Sequence, residues 1–169
     1  MIKLPSGLDR KTLIDDLRII SWEAYDTLKH YAQILKDSNN KSNIIRNDNI
    51  EDPVTLADLK VNEIVIKKIN ENYKLINWKI LSEENVKLAS HENKANTEWI
   101  WILDPLDGTK DFIQGSQNYA MHLALNYKQK PILGIVLIPE KDELWISYEE
   151  KLWCENRDGS IRKQNLSET

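Results

Sequence analysis

Apolar residues recur at every third or fourth position in two segments of the chain, which is the spacing of one helix face. The first segment runs from Asp9 to Leu35, with Asp9 as a candidate N-cap. The second follows Thr55 and ends near Asn72. Asp58 stands three residues after Thr55, which is the spacing of a capping box. The pattern predicts two amphipathic helices.

Shorter apolar runs predict strands in the second half of the chain. Residues 80–81 and 99–103 are brief apolar stretches, too short for a typical helix. From 119 to 127 the large apolar positions alternate with a period of two, and the runs 132–138 and 144–148 follow after short connections. Three such strands suggest an antiparallel meander. The combined pattern predicts an α+β fold in which two helices pack on a mainly antiparallel sheet.

Composition narrows the classes of function. The 169-residue chain has a formal charge of −4, and no basic cluster is dense enough for a polynucleotide footprint. No apolar run approaches the ~20 residues of a membrane-spanning helix, and the first residues lack the apolar core of a secretory signal. The single cysteine, Cys154, cannot form an internal disulfide. These features favour a cytoplasmic globular protein whose partners are neither nucleic-acid polymers nor membranes.

The segment Asp104-Pro105-Leu106-Asp107-Gly108-Thr109 carries the clearest chemical signal. Proline restricts the residue before it, so the chain turns sharply where two carboxylates three residues apart can converge. Gly108 has no Cβ and therefore lets backbone N–H groups approach an anion. Carboxylate oxygens beside such a cradle indicate Mg2+ and a phosphate ester. The alternative is an ordinary turn, because turns favour Asp, Pro and Gly.

Two further acidic segments lie upstream. Asp52-Pro53-Val54-Thr55 leads into the second helix, where Asp58 either serves only as a cap or also faces a metal-bound water. Residues 82–84 are Ser-Glu-Glu, and at most one of two adjacent side chains on an extended segment faces a shared site. A solvated loop is the alternative for this pair. The three histidines lack the spacing of metal ligands, and His122 is expected on a strand face.

The three segments together carry a family resemblance. The order D-P-V-T-x-x-D, then S-E-E, then W-I-x-D-P-x-D-G-T-K-D-F resembles the inositol monophosphatase superfamily of Mg2+-dependent phosphatases. Residues 108–112, Gly-Thr-Lys-Asp-Phe, are similar to the CysQ-type 3'(2'),5'-bisphosphate nucleotidases. The resemblance runs from about Leu13 to about Cys154. It implies the first domain of the αβαβα sugar-phosphatase fold.

The resemblance also implies the cofactor and its ligands. Two Mg2+ ions are expected, with a third beside Asp58 as an open alternative. Asp104, Glu83 and the backbone carbonyl of Leu106 would hold one ion. Asp104 would bridge to the second ion, shared with Asp107.

The remaining site residues follow from the same resemblance. Thr109 would orient the attacking water, with Asp58 as its acidic partner. Backbone N–H groups around Gly108 and Thr109 would bind the scissile phosphate. Lys110 either lies near a substrate phosphate or simply places a charge at the start of a helix.

The expected function is hydrolysis of 3'-phosphoadenosine 5'-phosphate to AMP and phosphate by metal-activated water. An inositol-phosphate or sugar-bisphosphate phosphatase is the alternative enzyme. Residues 1–154 are expected to form the family's first domain and residues 155–169 a polar tail, with no counterpart of the second α/β domain. A further alternative is therefore an inactive truncated or split homologue, a binding half that a second chain or another copy completes.

Overall fold

The computed structural model describes residues 3–36, 41–47, 54–88 and 97–163. The helices are α1 (Arg10–Leu35), α2 (Lys41–Ile44), α3 (Leu56–Asn72), α4 (Glu83–Leu88) and α5 (Thr109–Gln114). The strands are β1 (Ile45–Asn47), β2 (Val54–Thr55), β3 (Lys79–Ser82), β4 (Trp99–Asp107), β5 (Ala120–Tyr127), β6 (Lys130–Ile138), β7 (Glu143–Tyr148), β8 (Lys151–Asn156) and β9 (Ile161–Lys163).

The two long helices, α1 and α3, form where the apolar spacing predicts them, and both predicted caps are confirmed. Asp9 accepts a hydrogen bond from the N–H of Thr12 at 3.0 Å. Thr55 and Asp58 form the reciprocal bonds of a capping box at the start of α3. Asp52 and Pro53, which precede this box in the sequence motif, lie outside the described residues. Within the described ranges, no helix is both long and apolar enough to cross a bilayer.

A seven-stranded sheet runs in the order β3-β4-β5-β6-β7-β8-β9, and β1 pairs separately with β2. The strands β3 and β4 are parallel, whereas every later neighbour in the large sheet is antiparallel. The predicted α+β class with a mainly antiparallel sheet is confirmed. β4 continues to Asp107 instead of ending at Leu103, because residues 104–107 keep pairing with β5.

The two faces of this sheet differ. One face supplies Trp101 and Leu123 to a core shared with Leu17 of α1 and Val61 of α3, all four residues being at most 1% exposed. The other face carries side chains that are only partly covered, among them Ile102, which is 44% exposed. The helices therefore lie on one side, and the open side begins next to the acidic end of β4.

The sheet also extends past the expected domain boundary at residue 154. β8 continues to Asn156, and a turn with Gly159 at φ +83° leads into β9. Glu155 is 6% exposed, and its buried charge is compensated by the guanidinium of Arg18, which donates to both carboxylate oxygens at 2.6 and 2.7 Å. Residues 155–163 thus belong to the sheet rather than to a polar tail, and residues 164–169 lie outside the described ranges.

Candidate active site

A bulge near the end of β4 turns the two aspartates of the central motif to the same face. Asp104 pairs with His122 of β5, and Asp107 pairs with Ala120, so three steps along β4 match two along β5. Residues three apart on a regular strand point to opposite faces, and one extra residue reverses this. Pro105 is accommodated at the bulge because it lacks the N–H that regular pairing requires. The open face of the sheet therefore receives both carboxylates.

Glu83 joins Asp104 through the parallel pairing of β3 with β4. Ser82 lies opposite Leu103, so the next residue of each segment emerges at the same edge of the sheet. Glu83 begins α4 instead of continuing an extended segment, and it shares a hydrogen bond with Asp104. The neighbouring Glu84 is buried, at 4% exposure.

The electrostatics of Asp104 reflect this crowding. Partial burial, the negative charge and hydrogen bond of Glu83, and the charge of Asp107 together raise the pKa of Asp104 to about 7. The N–H of Leu106 donates to Asp104 Oδ1 at 3.1 Å and acts in the opposite direction. Asp104 therefore holds its proton to a higher pH than an ordinary aspartate does.

Asp58 and Thr109 meet although they are 51 residues apart in the chain. Thr109 Oγ1 lies 3.1 Å from Asp58 Oδ1 and 2.9 Å from the carbonyl oxygen of Leu106, so its one proton can be donated to either acceptor. The other oxygen of Asp58 accepts from the N–H and the hydroxyl of Thr55, at 2.8 and 2.5 Å. Burial raises the pKa of Asp58, and these hydrogen bonds only partly offset that increase.

Gly108 is required where β4 passes into α5. Its φ is +85°, and a Cβ at this position would lie 2.5 Å from the carbonyl oxygen of Asn118. The Gly108 carbonyl accepts from the N–H of Phe112 at 2.9 Å, which closes the first turn of α5. Lys110 is exposed on that turn. The contacts of Gly108, Thr109 and Lys110 with a substrate phosphate stay predictions.

His122 lies beside the acidic cluster although its spacing in the sequence carries no signal. It pairs with Asp104 across the β4–β5 ladder, and its Nε2 is 4.0 Å from Asp107 Oδ2. A groove of about 430 Å³ extends from Asp104 and His122 over the open sheet face towards Val136 and Trp145. The strand-face position was predictable from alternation, whereas its proximity to Asp107 depends on the bulge.

The donor set can be tested against the chemistry of a divalent cation. Within the described parts of the chain, no three His, Cys, Asp or Glu side chains form a group able to hold a metal by themselves. The groups present are the Asp104–Glu83 pair, Asp107 and the carbonyl of Leu106. All are oxygen donors of the kind Mg2+ prefers, and Mg2+ normally keeps several waters as ligands. The repulsion among Asp104, Glu83 and Asp107 that raises the pKa of Asp104 is one that a bound cation would relieve, so this set fits Mg2+.

Comparison with known proteins places these residues in context. The sequence model of the inositol monophosphatase family matches residues 10–168 of this chain. The bifunctional phosphatase IMPL2, chloroplastic, of Arabidopsis thaliana is 38% identical over 106 residues, covering 63% of this chain and 29% of that protein. The 3'(2'),5'-bisphosphate nucleotidase CysQ of Haemophilus influenzae is 34% identical over 116 residues, covering 69% of this chain and 40% of that protein.

Solved structures show the same fold. The suhB protein of Bartonella henselae superposes with a TM-score of 0.67 at 22% identity, covering 86% of this chain and 52% of its own. Inositol monophosphatase II of Staphylococcus aureus MSSA476 gives 0.65 at 22% identity, covering 94% and 52%. The chain thus spans about half of these structures and less than half of the two curated relatives.

Proposed function

Because the chain belongs to the inositol monophosphatase family, we propose that it carries the cation-binding and water-orienting part of a Mg2+-dependent phosphomonoesterase. One observation supports this most directly. The Thr109 hydroxyl lies within hydrogen-bond distance of both Asp58 and the carbonyl of Leu106, while the N–H of Leu106 donates to Asp104, which shares a hydrogen bond with Glu83. The same short bulge therefore links a buried acid and a hydroxyl to the carboxylate pair.

The proposed cation ligands are the carboxylates of Asp104, Glu83 and Asp107 and the backbone carbonyl of Leu106. Asp104, Glu83 and the Leu106 carbonyl would hold one Mg2+, and Asp104 and Asp107 a second. Bound Mg2+ supplies a more acidic water and neutralises charge on the attacking and leaving oxygens. A third ion beside Asp58 remains part of the proposal, since Asp58 is held at the same edge.

Thr109 and Asp58 would direct the water. When the Thr109 hydroxyl donates its proton to Asp58, its oxygen keeps lone pairs that accept a hydrogen bond from the attacking water. Attack by water forms a new P–O bond and breaks the P–O bond of the ester. The water gives up one proton and the leaving alcohol oxygen takes up one, so the step consumes one water without a net change in protons. The N–H groups of Gly108 and Thr109, with Lys110 nearby, would bind the phosphate being transferred.

The proposed substrate is 3'-phosphoadenosine 5'-phosphate, which would yield AMP and phosphate in the cytoplasm. Similarity to CysQ proteins named 3'(2'),5'-bisphosphate nucleotidases supports this choice. An inositol phosphate is the second candidate, since inositol monophosphatase 2 of Solanum lycopersicum is 29% identical over 122 residues. A sugar bisphosphate remains a third substrate class.

A different class of function is a binding half without activity of its own. The supporting observation is that, within the described residues, no three His, Cys, Asp or Glu side chains form a group able to hold a metal by themselves. The remaining part of the site would then come from a second polypeptide or from another copy of the chain. Small phosphate esters would still be the ligands.

The test is phosphate release by the purified chain in excess Mg2+, with 3'-phosphoadenosine 5'-phosphate and inositol 1-phosphate compared side by side. Wild type should release phosphate, whereas Thr109→Val should lose at least about a hundredfold in kcat and Thr109→Ser should retain most of it, because Ser keeps the hydroxyl. Release that is unchanged in Thr109→Val would contradict the assigned role. The substrate from which phosphate is released faster identifies the substrate class.

No release by a folded wild-type chain would redirect the proposal to the binding half. The same assay would then be repeated with the carboxyl-terminal portion of a CysQ relative added as a separate polypeptide. Release that appears only in the mixture, and not with that portion alone, supports the split site. Release in neither condition, together with absence of Mg2+ binding by calorimetry, refutes the proposed function.

A further inference from the structure

One tyrosine outside the candidate site is buried directly beneath the Gly108 turn. Tyr119 precedes β5 and is 4% exposed. Its ring packs edge-on against Phe112 of α5, with centroids 4.8 Å apart and planes at 82°. A Cβ at Gly108 would lie 3.3 Å from Tyr119 Cα and 2.5 Å from the carbonyl oxygen of Asn118. The turn into α5 therefore rests on residues 118 and 119.

The hydroxyl of Tyr119 connects this turn to α1. It donates to Glu140 Oε1 at 2.5 Å, and Lys29 Nζ of α1 lies 3.1 Å from Glu140 Oε2. Burial and then the bond to Glu140 raise the pKa of Tyr119, so the hydroxyl remains a donor at physiological pH. Burial opposes the ionisation of Glu140, but the bonds from Tyr119 and Lys29 hold its pKa below the ordinary value.

We propose that Tyr119 is a positioning residue, which holds the Gly108–Thr109 turn at a fixed distance from α1 through Glu140 on one side and Phe112 on the other. This inference rests on the proposed function, because that turn is the proposed phosphate-binding segment. Binding groups must be held to within about 0.5 Å of their productive positions, and misplacement by about 1 Å can cost two orders of magnitude in rate. A buried charge-assisted bond is suited to that task.

Tyr25 provides a matched control, because its hydroxyl bonds to the segment that contains Glu140. Tyr25 of α1 donates its hydroxyl to Asp142, two residues beyond Glu140. Tyr25→Phe therefore removes a tyrosine–carboxylate bond to the 139–142 segment, as Tyr119→Phe does, but one that comes from α1 and not from the start of β5. The ring of Tyr25 packs instead on Trp22, at 5.6 Å, and under the guanidinium of Arg157, at 4.5 Å. A general loss of stability should appear in both variants.

The first measurement is amide hydrogen exchange by NMR on the Mg2+-free protein, at the N–H of Phe112. This N–H donates to the Gly108 carbonyl and so reports closure of the turn. Tyr119→Phe should accelerate its exchange about tenfold, whereas Tyr25→Phe should change it less than about twofold. Glu140→Gln keeps an acceptor for Tyr119 but loses the charge that pairs with Lys29, so its exchange rate should lie between those of wild type and Tyr119→Phe.

The second measurement is a titration with inorganic phosphate in excess Mg2+, followed through the amide shifts of Gly108 and Thr109. Tyr119→Phe should weaken phosphate binding about tenfold, and Tyr25→Phe should leave it unchanged. Equal effects of Tyr119→Phe and Tyr25→Phe in both measurements overturn the positioning role. A wild-type chain that binds no phosphate overturns the proposed function instead, while the exchange rates still decide whether Tyr119 holds the turn.

Discussion

Replacing Asp104 with Asn is expected to stabilise the cation-free protein at alkaline pH while removing its cation binding. The Asn side chain imitates the protonated form of Asp104, because its amide can donate to Glu83 and its oxygen can accept from the N–H of Leu106, a bond of 3.1 Å in the wild type. It differs in staying neutral at every pH. The substitution therefore isolates the free energy of ionising this carboxyl in the folded state.

The magnitude follows from the pKa of Asp104, which burial, the charge of Glu83 and their hydrogen bond raise from 3.8 to about 7. The folded state binds the proton more tightly than the unfolded state. Wild-type stability therefore falls as the pH rises from about 4 to about 7 and is constant above that range. A rise of this size corresponds to about 4 kcal/mol for a fully buried group. Because Asp104 is partly exposed, solvent screening reduces the expected value to about 2 kcal/mol.

The assay is urea unfolding of wild type and Asp104→Asn in EDTA at pH 5 and pH 8. We expect the variant to be more stable by about 2 kcal/mol at pH 8, or about 4–8 °C in Tm, and by clearly less at pH 5. Added Mg2+ should stabilise wild type alone. Asp107→Asn is the control, since the Asp107 side chain is 60% exposed and should alter the pH dependence less. Identical pH dependence in wild type and Asp104→Asn would refute the argument.

Two further substitutions test the surrounding structure. Gly108→Ala should destabilise by about 2–4 kcal/mol more than Gly115→Ala in thermal unfolding, because both residues have positive φ but only Gly108 meets a neighbour, the Asn118 carbonyl, within 4 Å. Comparable losses would contradict the close packing. Arg18→Ala should cost about 1–3 kcal/mol near neutral pH by leaving Glu155 buried without its guanidinium. Because the bonds from Arg18 lower the pKa of Glu155, this cost should diminish in acid, where Glu155 is protonated. A loss that is independent of pH would exclude the ion pair as its cause.

The helices and their caps could be predicted because their determinants are local. Asp9 bonds to an N–H three residues away, and the Thr55–Asp58 box closes over the same separation. Apolar spacing alone then selects the face that α1 and α3 bury. These interactions involve few residues close in sequence, so they do not depend on where the rest of the chain lies.

Two local structures differ from the sequence-based expectation, because contacts with distant segments set their conformation. The sequence places the pair Glu83-Glu84 at the end of an extended segment or on a solvated loop, whereas in the structure Glu83 begins α4. Residues from 155 onwards were expected as a tail, yet Arg18 of α1 neutralises Glu155 and the strand continues. In both cases the deciding partner lies far away in the chain, where local composition carries no information about it.

For the candidate site, the order of residues defines which oxygen donors are available, together with the helical cap that orients one of them. That Asp104 and Asp107 share a face, that His122 lies beside them and that Thr109 reaches Asp58 depends on how the strands pair. Side-chain chemistry and short-range spacing are properties of the chain. Strand register, the bulge and the burial that raises the pKa of Asp104 arise only when β3, β4 and β5 pair.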